Sequence, residues 1–81
     1  MARYFFDVHD GQHFTADKEG LEFESIEAAR EEAIAALPEL ARDVLRHGGR
    51  ENQMTFEVTA KDQAGHQVLR ATLSLIVQRL G

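Results

Sequence analysis

The 81-residue chain contains no cysteine, which excludes disulfides and thiolate metal sites as sources of stability. No apolar run approaches the roughly 20 residues that a membrane-spanning helix needs, and the N-terminus lacks the apolar segment of a secretory signal. These absences favour a cytoplasmic protein with no membrane partner. Because a chain of this length buries only a small core, we expect self-association to be the additional source of stability, if one is needed.

Acidic residues outnumber basic ones, 14 against 9, and the formal net charge is −5. Such a chain repels phosphate backbones, which disfavours non-specific binding of nucleic acid. One local exception is a group of basic residues towards the end of the predicted helix: Arg42, Arg46, His47 and Arg50. Compensation of the helix dipole accounts for three of these four, and we favour that interpretation over an anion site.

The first segment predicts a β-hairpin. Apolar and polar residues alternate over residues 3–8, Asp10-Gly11 is a strong turn signal, and a short second strand is expected over residues 12–16. A three-residue loop keeps the phenylalanines of the two strands opposite each other, whereas a two-residue loop mixes polar and apolar residues on both faces. The chosen register makes Asp7 and His13 cross-strand neighbours.

The middle segment predicts one long helix. Residues 17–24 are expected to form a loop, Ser25 to be the N-cap, and the helix to run over residues 26–46 with Gly48 as the left-handed cap. At Pro38 we expect a kink rather than a break, because the apolar stripe continues in phase through it. The stripe consists of Ile26, Ala29, Ala33, Leu37, Leu40, Ala41 and Val44.

A second hairpin follows the helix. A four-residue loop over residues 62–65 pairs Val58 with Leu69 on one face and Glu57 with Arg70 on the other, so that every apolar pair matches. The elements together predict a single α+β domain over residues 1–81 with the order ββαββ. Its four-stranded sheet carries one helix on one face, and the strand order is left open.

Three runs of sequence resemble a known family: residues 3–11 (Arg-Tyr-Phe-Phe-Asp-Val-His-Asp-Gly), 62–65 (Asp-Gln-Ala-Gly) and 68–70 (Val-Leu-Arg). The chain is similar to short alphaproteobacterial proteins that form a family of unknown function. Many members begin with Arg-Tyr-(Tyr/Phe)-Phe-Asp-x-His-Asp-Gly. The resemblance covers essentially the whole chain and implies a bacterial, cytoplasmic protein, but it supplies no catalytic residue, cofactor or partner. Pro38 is atypical of the family's helix.

A cluster of ligand-type side chains lies at the first turn: Asp7, His9, Asp10 and His13. Carboxylate and neutral imidazole suit Zn²⁺ and similar ions. Opposed side chains of a hairpin lie about 4.5–5.5 Å apart at Cβ, close enough for Asp7 and His13 to share a metal. A simple turn with a surface ion pair is the favoured interpretation, and a metal or ligand site at Asp7, His9 and His13 is the alternative hypothesis.

The sequence indicates binding rather than catalysis. It contains no nucleophile-elbow, dinucleotide-binding, P-loop or zinc-protease motif, and one helix over a small sheet leaves little room for a pocket. We therefore expect no enzymatic activity and no cofactor. A nucleic-acid-binding regulatory module is a third, weaker hypothesis, based only on analogy with other small αβ folds.

The sheet face away from the helix is the first candidate for a binding surface. It is expected to present apolar side chains among polar ones, a pattern that marks protein interfaces, including homodimers. A long last strand offers a second possibility, pairing edge to edge. The candidate interface residues are Phe5, Val68, Arg70, Thr72 and Ile76.

Overall fold

The computed structural model describes residues 1–48 and 51–81, and within them the chain forms an α+β domain with one helix and five strands. The strands are β1 (Ala2–His9), β2 (Phe14–Thr15), β3 (Leu21–Phe23), β4 (Gln53–Lys61) and β5 (Gln67–Ile76), and the helix is α1 (Ile26–Arg46). The prediction of an α+β fold with one helix is confirmed. The predicted count of four strands is wrong, because β3 occupies part of the segment expected to be a loop.

The sheet is antiparallel, and its strands lie in the order β2-β1-β4-β5. β3 also pairs with β1, so that β2 and β3 follow each other along β1 and are joined by residues 16–20. β5 pairs with β4 and lies at the end of the sheet order. One edge of the sheet is therefore formed by two short strands, β2 and β3, and the other edge by one long strand, β5.

The first hairpin has a longer turn than predicted. Val8 pairs with Thr15 and His9 with Phe14, which places His13 in the turn. The predicted pairings of Asp7 with His13 and of Phe6 with Phe14 are therefore wrong. The physical reason is the Asp10 carboxylate, which accepts hydrogen bonds from the backbone N–H groups of residue 12 (3.0 Å) and His13 (2.7 Å). This side-chain to backbone bonding stabilises a four-residue turn that strand parity alone does not reveal.

The second hairpin differs from the predicted register by two residues. Val58 pairs with Ala71 rather than Leu69, and Glu57 with Thr72 rather than Arg70. The Asp62 carboxylate accepts two backbone hydrogen bonds, at 2.9 Å each, and holds a five-residue turn, and a bulge follows it in the ladder. Because the shift is even, the side chains from Leu69 to Ile76 keep their predicted faces.

The helix begins at the predicted N-cap and continues through Pro38 as predicted, while the kink expected there stays a prediction. The Ser25 hydroxyl accepts a hydrogen bond from the backbone N–H of Ala28 at 3.2 Å, and α1 passes through Pro38 without a break. His47 is the C-cap, and Gly48 has a φ of 104°, which confirms the predicted left-handed cap. Arg50, a member of the predicted basic group, lies outside the described residues.

The core lies between α1 and the central strand β4. Phe56 and Val58 are fully buried there against Ala33 and Leu37 of the helix. The apolar stripe of the helix and the apolar row of β4 therefore meet as the sequence predicts. Among the described residues, no helix or second sheet covers the opposite face of the sheet.

Candidate functional site

The structure does not assemble the predicted metal ligands. The Nδ1 of His9 accepts a hydrogen bond from the backbone N–H of Gly11 at 3.1 Å, and His13 lies at the surface, 3.6 Å from Asp10. Across residues 1–48 and 51–81, no group of three or more His, Cys, Asp or Glu side chains has a geometry that holds a metal ion. Asp7 takes part in a different set of contacts.

Asp7 is a buried carboxylate with partners on both oxygens. It projects from β1 on the face away from the helix, and its side chain is 7% exposed. Oδ2 lies 2.6 Å from Nζ of Lys61, and Oδ1 accepts a hydrogen bond from the backbone N–H of Asp17 at 3.0 Å. Burial of this charge is tolerated because the ammonium and the N–H compensate it.

Asp17 completes the edge of the sheet between β2 and β3. One carboxylate oxygen accepts a hydrogen bond from the backbone N–H of Phe6 at 3.0 Å, and the other accepts from Glu19 at 3.1 Å and Gly20 at 3.0 Å. Burial acts to raise the pKa of Asp17, but these hydrogen bonds outweigh it and lower the pKa below its ordinary value. The side chain thus supplies the acceptor that a continuous strand would offer to β1.

Gly20 brings this segment against β1. Its φ is +71°, and a Cβ at this position would lie 2.9 Å from the carbonyl oxygen of Tyr4 and 3.0 Å from side-chain atoms of Arg3 and Phe5. The Arg3 guanidinium donates to the carbonyls of Glu19 (2.7 Å) and Gly20 (3.3 Å). Phe5, a predicted interface residue, is consequently half-buried beside the loop.

The run over residues 3–11 therefore has a structural explanation. Besides the contacts of Arg3, Phe5 and Asp7, it supplies the rings of Tyr4 and Phe6, which pack around Phe23 of β3 with centroid distances of 6.2 Å and 5.6 Å. Residues 3–11 thus form most of β1 and make its contacts with the two short strands β2 and β3.

The other four predicted interface residues lie on β5. Arg70, Thr72 and Ile76 are exposed on the face away from the helix, and Ile76 is 62% exposed. Val68 lies at the bulge and is half-buried. The structure thus places four of the five residues on one strand, three of them exposed, whereas Phe5 lies two strands away.

β5 presents a long strand edge. It spans ten residues, includes Arg70 as its sole charged residue and contains no proline. Among the described strands only β4 pairs with it, so the backbone groups on its outer side lack a strand partner. β2 and β3, by contrast, have two and three residues. Short strands, charges and prolines are the usual protection of sheet edges, and β5 has little of it.

An apolar groove runs between this strand and the helix. Its volume is about 400 Å³. Ile34 and Leu73 line it and are 45% and 37% exposed, although both belong to types that are usually buried. The lining residues are Arg30, Ile34, Leu37, Pro38, Leu69, Arg70, Ala71, Thr72 and Leu73.

Comparison with known proteins identifies a family. The model described as "Domain of unknown function (DUF6894)" matches residues 3–74. The chain belongs to this family. No curated protein and no solved structure matches the chain. The DUF6894 match confirms the predicted relationship to a family of unknown function, while the bacterial source and the cytoplasmic location stay predictions.

The DUF6894 region contains the features described above, from Arg3 to the greater part of β5. Among the described residues, no helix is both long and apolar enough to cross a bilayer. Sequence reasoning missed Asp17 and Lys61, because their partners depend on strand order and on a loop folding back onto β1. A signal existed in the alternation over residues 21–23, but three residues are too few to distinguish a strand from a loop.

Proposed function

We propose that this chain is a non-enzymatic protein-interaction module that binds a second copy of itself through β5. The observation that carries the proposal is the asymmetry of the sheet. β1 is lined by two short strands and by a loop that hydrogen-bonds to it, whereas no described strand pairs with the outer edge of the ten-residue β5. The outward N–H and C=O groups of such a strand pair readily with another strand.

Exposed apolar side chains reinforce the choice of this surface. Leu73 and Ile34 flank the groove beside β5, and Ile76 is exposed on the other face of the same strand. The remainder of the uncovered sheet face is largely polar. Because Phe56 and Val58 are the large side chains that are fully buried, the domain has a small core and would gain stability from further burial.

We propose no enzymatic activity because the carboxylates in and near residues 3–11 already make structural contacts. Asp7 holds Lys61 and a backbone N–H, Asp10 holds its own turn, and Asp17 holds the edge of β1. Each of these groups has a role that explains its position without a substrate.

Sedimentation equilibrium of two matched variants tests the proposal. Leu73→Asp places a carboxylate on the proposed surface, where Leu73 is 37% exposed, and Phe14→Asp places one at the opposite edge of the sheet, where Phe14 is 63% exposed. We expect the wild-type chain to be dimeric at high micromolar concentration. Burying an unpaired carboxylate should raise the dissociation constant of Leu73→Asp at least about tenfold, while Phe14→Asp stays as the wild type.

Circular dichroism checks that both variants are folded. A wild-type chain that stays monomeric at high micromolar concentration would count against the proposal. Equal weakening by the two variants would show that general charge, rather than the β5 surface, controls association.

A further inference from the structure

We infer that the two copies pair β5 with β5 in antiparallel orientation about a two-fold axis at Leu73, so that the sheets join and the two α1 helices lie side by side. This inference rests on the proposed self-association through β5 and names its geometry. It is carried by the side-chain parity of β5, by the position of Arg70 and by the place of the helix over the sheet.

Symmetry limits the arrangement. Two copies of one strand pair antiparallel across a two-fold axis perpendicular to the sheet, and this operation keeps both helices on the same side. The odd-numbered residues of β5 face the helix, since Leu69, Ala71 and Leu75 pack against the core cluster. A register that opposes residues of equal parity keeps these apolar rows aligned across the seam.

Arg70 and the bulge determine which residue of β5 lies on the two-fold axis. An axis at Ala71 would place the two Arg70 residues two positions apart, about 7 Å along the strands, where like charges repel. An axis at Leu73 separates them by about 20 Å and opposes Arg70 to Ile76 of the second copy. An axis at Thr72 would instead oppose Ile76 to Val68, which lies at the irregular bulge.

The helix explains why the partner is a second copy. α1 packs against β4 and β5 to a similar extent and so lies above the line between them. In the joined sheet the two helices are separated by two strand spacings, about 10 Å, which is the distance at which helices pack. Ile34, Pro38 and Leu45 fall within a sector of about 40° on the flank that faces the groove, and the second helix would cover them.

The absence of native cysteine allows a direct test by single-cysteine variants. In the proposed register, residues 73 of the two copies are directly opposed, with Cα atoms about 4.5–5.5 Å apart, within the range of a disulfide. Residues 72 and 74 each lie about 8 Å from their own counterpart, beyond that range. We expect Leu73→Cys to form a disulfide-linked dimer on mild oxidation at least about tenfold faster than Thr72→Cys or Ser74→Cys.

A second measurement addresses the helices. Nitroxide labels at Ile34→Cys should lie closer together across the dimer than labels at Glu32→Cys, because two residues along a helix rotate the side chain about 200° to the far flank. Faster cross-linking at residue 72 or 74, or a shorter distance at residue 32, would overturn the inferred geometry. A dimer by sedimentation with either result overturns this inference alone, whereas a monomer overturns the proposed function itself.

Discussion

Replacing Asp17 by alanine removes the side chain that links the loop over residues 16–20 to β1. The carboxylate accepts backbone hydrogen bonds from Phe6, Glu19 and Gly20, and of these groups Phe6 belongs to the sheet itself. Without Asp17 the N–H of Phe6 loses its acceptor at a partly buried position. We therefore expect the side of the sheet formed by β2 and β3 to loosen.

The magnitude follows from the three contacts. A hydrogen bond to a charged group contributes about 1.5–3 kcal/mol when buried, and less at exposed positions such as Glu19. We expect Asp17→Ala to lower the free energy of unfolding by about 3 kcal/mol, most of it from Phe6. For a domain of this size that corresponds to a fall in Tm of about 15 °C.

The pH dependence gives the prediction its specific signature. The hydrogen bonds lower the pKa of Asp17 in the folded chain, so the folded state holds this proton less tightly than the unfolded state. The stabilisation is therefore fully present above the unfolded pKa, near 3.8, and is lost as the pH falls through the folded pKa. The difference in stability between the wild type and Asp17→Ala should shrink below about pH 4.

Urea unfolding followed by circular dichroism between pH 3 and pH 7 measures this difference. Asp17→Asn is the matched control, since its single amide oxygen keeps an acceptor on one side and we expect an intermediate loss of about 1–2 kcal/mol. A loss below about 0.5 kcal/mol at pH 7, or a difference that does not change with pH, would refute the role assigned to the carboxylate.

Three further variants test separate parts of the fold by urea unfolding. Gly20→Ala should lower the free energy of unfolding by about 3 kcal/mol, because the added Cβ would lie too close to the carbonyl oxygen of Tyr4. Gly65→Ala is the control: its φ is similar but the space around it is open, so the loss should be about 1 kcal/mol. Equal losses would contradict the close approach of Gly20 to β1. Lys61→Met should lower the free energy of unfolding by about 1–3 kcal/mol, because it leaves Asp7 without its counter-charge. The double variant with Asp7→Asn should recover part of this loss. Pro38→Ala should stabilise the chain by about 1–3 kcal/mol by restoring a helix hydrogen bond, and a loss would contradict this account of the helix.

Local patterns predicted the parts of the fold that depend on neighbouring residues. The Ser25 cap, the helix through Pro38 and its apolar face follow from spacing and capping chemistry. Side-chain parity assigned the faces of the second hairpin correctly from Leu69 to Ile76, because its register shifted by an even number of residues. In the first hairpin the register changed by an odd number, and Phe14, predicted opposite Phe6, lies opposite His9.

The predictions from sequence were wrong or incomplete where a carboxylate accepts hydrogen bonds from a turn or loop, or pairs with a side chain of another strand. Asp10 and Asp62 lengthen their turns through carboxylate hydrogen bonds, and neither effect is visible in hydrophobic alternation. Asp17 and the Asp7–Lys61 pair depend on which strands are neighbours, which no local pattern determines. That no other described strand pairs with the outer edge of β5, on which the proposed function rests, likewise follows only from the strand order.

Hydrogen exchange of the β5 amides at two protein concentrations tests the central claim most directly. If a second copy pairs with this strand, alternate amides of β5 that point away from β4 should exchange at least about tenfold more slowly above the dissociation constant than below it. Amides of β2 and β3 should not change with concentration. Exchange of β5 that is independent of concentration, or protection that appears at β2 and β3 instead, would contradict the account.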